Sequence, residues 1–216
     1  MLGSIERYAF IDVSNTSGTA NDILNFKIDW KSLFGHLTGE KWQCKKVFYY
    51  RGRKPGKRVR KDFKKIKDIG YEVRTKDTFI YPDKFTNHAF KCEGCGRECI
   101  LRLKKLGLWK SNCDVELSVD ATELAGKNKE FLLFTGDGDF SYLIENVINK
   151  GVHIFIVSNT GRGRDGNRSF STRLRSIVER EEQGLKRVTF VDINDWRNKI
   201  GKEKKPPTSV TASEPR

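Results

Sequence analysis

Long apolar runs are missing from this chain. The longest, such as Phe131-Leu132-Leu133-Phe134, fall far short of the roughly 20 residues that cross a bilayer. With 32% charged residues and a mean hydropathy of −0.62, an integral membrane protein is not expected. The opening MLGSIERYAF lacks a basic stretch followed by an apolar segment, so no secretory signal is expected and the expected location is cytoplasmic. Cysteine is sparse and odd in number, at five, which argues against a disulfide framework. Metal binding or reduced core thiols remain. There is no G-x-x-x-x-G-K-[ST], no H-E-x-x-H and no G-x-S-x-G, and no internal repeat. His36 and His153 have no companions and are read as structural.

What is present is one sizeable domain's worth of chain, 216 residues, with 37% apolar residues and 14 Phe, 4 Trp and 6 Tyr to fill a core. Net charge is +14 and unevenly spread. Residues 45–76 hold 14 Lys/Arg against Asp62, Asp68 and Glu72, which is +11 in 32 residues. A block of this kind fits a polyanionic partner, because each cation that neutralises a phosphate releases a counterion. The plainer alternative is a solvated helix face. Tyr49, Tyr50, Phe63 and Tyr71 lie among the charges, and Gly52, Pro55 and Gly56 make a loop, so nucleic acid is favoured. Arg51, Arg53, Lys57, Arg58, Arg60 and Lys64 are the candidate contacts.

Patterning predicts alternating strands and helices. Tyr8–Asp12, Lys46–Tyr50, Tyr71–Arg74, Phe131–Thr135, Val152–Val157 and Arg187–Val191 read as strands. Ile23–Leu37, Lys57–Ile69, Asp114–Ala125, Phe140–Asn149 and Phe170–Val178 read as helices, with Gly70 closing the second. The basic helix has Val59, Phe63, Ile66 and Ile69 on its apolar side. Such alternation implies a Rossmann-like three-layer α/β/α fold around a mainly parallel sheet. The domain is expected over residues 1–200, with a Cys-rich insertion at about 77–109. Residues 201–216, GKEKKPPTSVTASEPR, are expected to be a disordered basic, Pro-containing tail.

The chemistry gathers at strand ends. Asp12 closes the first strand, and Asp137 and Asp139 follow a later one in Thr135-Gly136-Asp137-Gly138-Asp139. Open parallel sheets bind ligands beyond their carboxyl edge, where the strand order reverses, so these carboxylates converge if the two strands are neighbours. Gly136 and Gly138 are expected to leave room for ions and phosphates. On the helix that precedes that later strand, Leu117, Ala121, Leu124 and Ala125 form the apolar arc; Asp114 falls inside it and Asp120 at its edge. A carboxylate on a buried stripe needs a partner. A metal is one, and capping of the helix N-terminus is the plainer one. Crowded carboxylates repel unless a cation offsets them, and all-oxygen ligation suits Mg²⁺ or Mn²⁺. Taken singly, each strand-end Asp would be a turn former. Taken together, Asp12, Asp114, Asp137 and Asp139 read as a metal-holding acidic site beside a basic surface, the combination a nuclease needs.

These segments resemble the NYN family of PIN-like nucleases, the group that includes bacterial LabA-like proteins. The matching stretches are Phe10-Ile11-Asp12-Val13-Ser14-Asn15, Lys110 with Cys113–Ala121, and Thr135–Phe140 running into Leu143-Ile144 and Gly151. The resemblance implies a Rossmann-like fold, metal-dependent RNA cleavage, and Asp12, Asp114, Asp137 and Asp139 as the acidic site with Asn15 beside it. Asp12, Asp114 and Asp137 would hold a metal. Asp139 would serve a second ion or orient the attacking water, and Asn15 and Thr135 would position a phosphate oxygen. No His lies in these motifs, so water activated by the metal would attack. The leading expectation is an endoribonuclease; a non-catalytic RNA-binding module and a structure-selective DNA nuclease are the alternatives.

Two further motifs stay open. Cys92-Glu-Gly-Cys95-Gly-Arg-Glu-Cys99 is a knuckle-like run that would bind structural Zn²⁺ if Cys113 supplied a fourth thiolate, with His88 a distant candidate and three reduced thiols the alternative. Gly161-Arg-Gly-Arg-Asp-Gly166 satisfies G-x-G-x-x-G but follows a late strand. It reads as a phosphate-contacting loop through Arg162, Arg164 and Arg168, or as a plain solvated loop.

Overall fold

Six strands alternate buried side chains between two faces, and that period of two sets the architecture. The strands are β1 (Glu6–Asp12), β2 (Cys44–Arg53), β3 (Glu72–Asp77), β6 (Lys129–Phe134), β7 (His153–Ser158) and β8 (Val188–Asp192). In this computed structural model, residues 4–53, 57–80, 84–105, 109–110, 112–163, 166 and 169–202 are described. All five pairings are parallel, in the order β8-β7-β6-β1-β2-β3. Parallel neighbours need crossovers, and the crossing helices cover both faces.

Phe10, Phe48, Phe131 and Leu133 point to one face. There they meet Leu117 of α4 (Asp114–Leu124), Ile144 of α5 (Ser141–Asn149) and Leu174 of α6 (Thr172–Gln183). Ala9, Ile11, Tyr49, Leu132 and Phe134 point to the other. They meet Leu33 of α2 (Trp30–Thr38), Ile66 of α3 (Lys57–Ile69) and Ile200 of α7 (Arg197–Ile200). Each fully buried Phe, Leu or Ile contributes about 1.5–3 kcal/mol of transfer free energy. The expected three-layer α/β/α fold with its parallel sheet is what forms. Among the described residues no helix is long and apolar enough to cross a membrane.

Gly70 ends α3 at φ +120°, and a Cβ there would stand 2.6 Å from the Phe34 ring, so the C-cap also admits a neighbouring aromatic. His36 packs edge-on against Trp196, and His153 bonds Thr189 at 3.0 Å, both structural as expected.

Two segments differ from expectation. The single helix expected over Ile23–Leu37 is split. A short α1 (Val13–Gly18) runs into a π-helical turn at Thr19–Ile23, Asn25 takes φ 55°, and α2 begins only at Trp30, capped by Asp29. Burial of Phe26 holds the intervening link, and Lys27–Ile28 pairs antiparallel with Gly201–Lys202. Gly201 and Lys202 therefore belong to the ordered domain rather than the tail; the rest of the expected tail lies outside the described residues. The Cys-rich insertion is largely a hairpin, β4 (Lys84–Lys91) with β5 (Glu98–Lys105), pairing Lys84 with Lys105 and Phe90 with Cys99. Every β4 side chain is exposed.

Candidate active site

The winding of the sheet reverses between β1 and β6, and the acidic residues sit there. Asp12 is the last residue of β1, and Asp137 lies three residues past β6. Asp114 begins α4, which packs over β1 on one face. Asp12, Asp114 and Asp137 line one pocket of about 200 Å³ with Asn15, Arg51 and Asn112.

The loops are fixed by short-range bonds that the sequence supplies locally. Asp12 Oδ1 accepts the amides of Ser14 (3.1 Å) and Asn15 (3.2 Å), capping α1. Asp137 Oδ1 accepts the Asp139 amide at 3.0 Å. Both aspartates are thus the turn formers that each would be alone, and both also face the pocket. Asp114 is different: the N-cap of α4 is Cys113, and the Asp114 carboxylate instead accepts the Asn112 side-chain amide at 2.6 Å. Capping does not explain this carboxylate. Asp120 leaves the site, since it accepts Tyr50 Oη at 2.8 Å and Arg74 Nε at 3.1 Å on the β2–β3 side.

Electrostatics ties the carboxylates together. Burial, then repulsion from Asp114 and Asp137, raises Asp12 from an ordinary value near 3.8 to about 6, against the two amide bonds that lower it. Asp114 is also raised, first by burial and then by Asp137 and Asp139, with Asn112 opposing. Asp139 is exposed and lines the neighbouring groove between α4 and α5 rather than this pocket. Its reach is through its charge on Asp114.

Several expected contacts take other roles. The two glycines do not open the loop to ions: a Cβ on Gly136 would lie 1.7 Å from the Ser169 carbonyl oxygen, and one on Gly138 2.8 Å from Ser171 Oγ. They admit the 169–171 segment, whose Ser171 amide donates to Gly136 O at 2.9 Å. Thr135 is buried and accepts the Asp137 amide at 3.1 Å, so it shapes the turn and does not reach a phosphate. Asn15 Oδ1 accepts the Gly136 amide at 2.9 Å, which pins the loop after β1 to the loop after β6. Arg53 is ion-paired with Asp77 at 2.6 Å. Lys64 lines a shallow pocket with Arg53 and Phe63, away from the carboxylates. Arg51 lines the acidic pocket itself. Arg162 is exposed on its loop. The side chains of Lys57, Arg58, Val59 and Arg60, and all of Arg164 and Arg168, lie outside the described residues.

The four cysteines do not assemble into the expected zinc centre. Cys92 and Cys95 sit at the hairpin turn and Cys99 near the start of β5, with Cys92 held below its ordinary value by the Cys95 and Gly94 amides. Cys113 is buried in the core with Tyr50 and Leu117, and burial raises it to about 11. His88 stands exposed on β4 opposite Leu101. Among the described residues no three His, Cys, Asp or Glu side chains form a group that could hold a metal ion as placed. For the aspartates this means convergence on one pocket without closed ligation.

Sequence reasoning missed Asn112, Ser14 and Tyr50. Asn112 carried a signal, a polar residue just before a helix that opens with an aspartate. Tyr50 stood out only as an aromatic among the basic residues; its bond to Asp120 of α4 depends on β2 pairing with β1.

Comparisons with known proteins agree with this fold. Low amplitude and bright protein LabA of Synechococcus elongatus is 26% identical over 166 residues, covering 77% of this chain and 72% of that protein. A crystal structure of a protein of unknown function from Vibrio parahaemolyticus superposes with a TM-score of 0.56 at 20% identity. It covers 93% of this chain and 98% of that one, a likeness of fold. The model of the NYN domain family matches residues 8–180, a span that contains all four aspartates and the whole of β1 to β7 except its first residues. With that match over most of a chain built on a six-stranded parallel sheet, the chain belongs to the NYN domain family.

Proposed function

We propose that this protein is a metal-dependent endoribonuclease that hydrolyses phosphodiester bonds, with Asp12, Asp114 and Asp137 as ligands for Mg²⁺ or Mn²⁺. The observation that carries the reading is that Asp12, Asp114 and Asp137 line one pocket at the switch point of the sheet, where burial and neighbouring carboxylates raise both Asp12 and Asp114. Three hard oxygen donors repel one another across that pocket, and a divalent cation is the ligand that turns the repulsion into attraction. Such an ion, when bound, polarises the scissile phosphate and lowers the pKa of the attacking water. The protein's own residues supply position. The Asn15–Gly136 bond sets the spacing of the two carboxylate loops, Asn112 orients Asp114, and Arg51 on the rim neutralises an adjacent phosphate. Asp139 serves a second ion or the attacking water from the far side of Asp114. The basic block of residues 45–76 and membership of the NYN family support RNA as the partner.

The test is Asp137→Asn with Mn²⁺ and labelled RNA. The variant is expected to lose cleavage while its RNA affinity stays within about twofold of wild type. Equal binding with no cleavage by either protein would leave an RNA-binding module, and cleavage confined to flap DNA would leave a DNA nuclease.

A further inference from the structure

The field around the acidic pocket has a direction. On one side α3 carries seven Lys/Arg against two Asp, a charge of +5; on the other α4 carries four acids and no base, of which Glu116 and Asp120 are paired with Lys76 and Arg74 and Asp114 and Glu123 are left to act outward. A polyanion therefore approaches across α3 and is repelled from α4. Between α3 and the carboxylates lies a second cavity, of about 690 Å³, within the range that holds small ligands. Its walls include Trp30, Tyr49, Phe63 and Ile66, with Arg51 and Lys65 at its edges. Ser14, Arg51 and Gly52 belong to both this cavity and the acidic pocket, so the two are continuous.

The chemistry of the walls selects the occupant. Trp30 and Phe63 are half-buried, with ring surface still accessible, and Trp30 is braced edge-on by Tyr49 at 5.0 Å. Tyr49 itself is buried, and the Arg51 guanidinium donates to its hydroxyl at 3.5 Å, which sets Arg51 on the seam between the cavities. Two acids also line the cavity: Asp29, the N-cap of α2, is paired with Lys202 at 3.0 Å, and Asp62 of α3 stands against Lys31, Arg51 and Lys65. Aromatic walls in a lining where Lys31, Arg51, Lys65 and Lys202 outnumber Asp29 and Asp62, continuous with the acidic pocket, match a base with its backbone. The groove between α4 and α5 also has apolar walls, in Val115, Val119 and Tyr142, but it borders Asp114, Glu123 and Asp139, where phosphates are disfavoured.

We infer that the cavity between α2, α3 and β2 is a nucleobase subsite: one unpaired base packs against Trp30 and Phe63 while its backbone passes Arg51 into the acidic pocket. The placing of the scissile phosphate rests on the nuclease reading above. A base inside a duplex reaches such a cavity only after unstacking, at a cost of a few kcal/mol, so the subsite selects single-stranded segments.

The experiment is an abasic scan. Single-stranded RNA oligonucleotides with one abasic position each are titrated against the full chain in EDTA, where no metal-dependent cleavage runs. At one register the wild type is expected to lose about 5- to 150-fold in affinity, the range of one base–aromatic stack. Trp30→Ala is expected to bind the intact strand that much more weakly and to lose nothing further at the abasic position, with duplex RNA binding unchanged within twofold. Phe63→Ala, on an amphipathic helix surface, repeats the measurement should Trp30→Ala fold poorly. A flat scan, an abasic loss that persists in both variants, or equal weakening for single strand and duplex would overturn the subsite. Mn²⁺-dependent cleavage is scored separately on the intact oligonucleotide. Cleavage with a flat scan rejects the subsite and keeps the nuclease; a positive scan without cleavage keeps the subsite and rejects the nuclease.

Discussion

Replacing Asp12 by Asn should make the metal-free protein more stable, although it removes a residue that the proposed chemistry requires. Asp12 is raised from about 3.8 to about 6 on folding. The difference of roughly 2 pKa units corresponds to about 3 kcal/mol that ionised Asp12 costs the folded state at neutral pH. The sign follows from the direction of the shift: a raised carboxyl binds its proton more tightly when folded. Its contribution is complete below pH about 3.8 and is lost as pH climbs through about 6. Asparagine keeps the side-chain oxygen that accepts the Ser14 and Asn15 amides, and is as good an N-cap, so the local turn survives. At pH 7.5 in EDTA, Asp12→Asn should gain about 1–3 kcal/mol, which at about 2–4 °C per kcal/mol raises Tm by several degrees. The gain should shrink between pH 6 and pH 4, where wild-type Asp12 protonates. Paired thermal melts from pH 4 to 7.5 measure this difference, and other titrating groups cancel in it. Mn²⁺ at about 100 times its Kd should add about 2.7 kcal/mol to the wild type and much less to the variant. A variant less stable than wild type at pH 7.5, or a difference that does not change with pH, would refute the account of a desolvated, mutually repelled carboxylate.

Three further outcomes follow from the geometry. Neutralising Arg58, Arg60 and Lys64 together should reduce the salt slope of single-stranded RNA binding by about 2, at about 0.7 per cation; an unchanged slope in affinities measured from 50 to 200 mM salt would remove this part of α3 from the interface. Gly136→Ala should cost at least about 1–3 kcal/mol in denaturant unfolding, since its methyl meets the Ser169 carbonyl; an unmoved midpoint would show that the 169–171 segment yields freely. Asp114→Asn should slow cleavage about 100-fold or more, whereas Asp120→Asn should leave cleavage within about twofold and lower stability by about 1–2 kcal/mol through its bonds to Tyr50 and Arg74; single-turnover kinetics and urea melts separate the two.

Much of this site could be read from the chain because its parts obey short-range rules. Asp12 and Asp137 stand where buried apolar runs stop, and helical periodicity alone placed Asp114 on the packed face of α4 with Asp120 beside it. The strand–helix alternation carried the fold for the same reason. What could not be read depends on contacts between distant segments. The role of Gly136 is visible only when Ser169, 33 residues later, comes to rest against it. The break between the π-helical turn and α2 follows from Phe26 entering the core and from Lys27–Ile28 finding Gly201–Lys202, a pairing that no local pattern announces. Cys113 looked like a fourth thiolate by spacing. Its burial comes from α4 docking on β1 and β2, which spacing does not express.

The central position of β1 also constrains how the molecule comes into being. One of its edges pairs with β2 within some 40 residues, but the other waits for β6, where Glu6 meets Lys129 at a sequence separation of 123. During synthesis the first half of the chain therefore emerges with an apolar strand exposed along one side. Maturation is set by a late, long-range closure, and until then that bare edge is where a chaperone or a misdirected neighbour would bind.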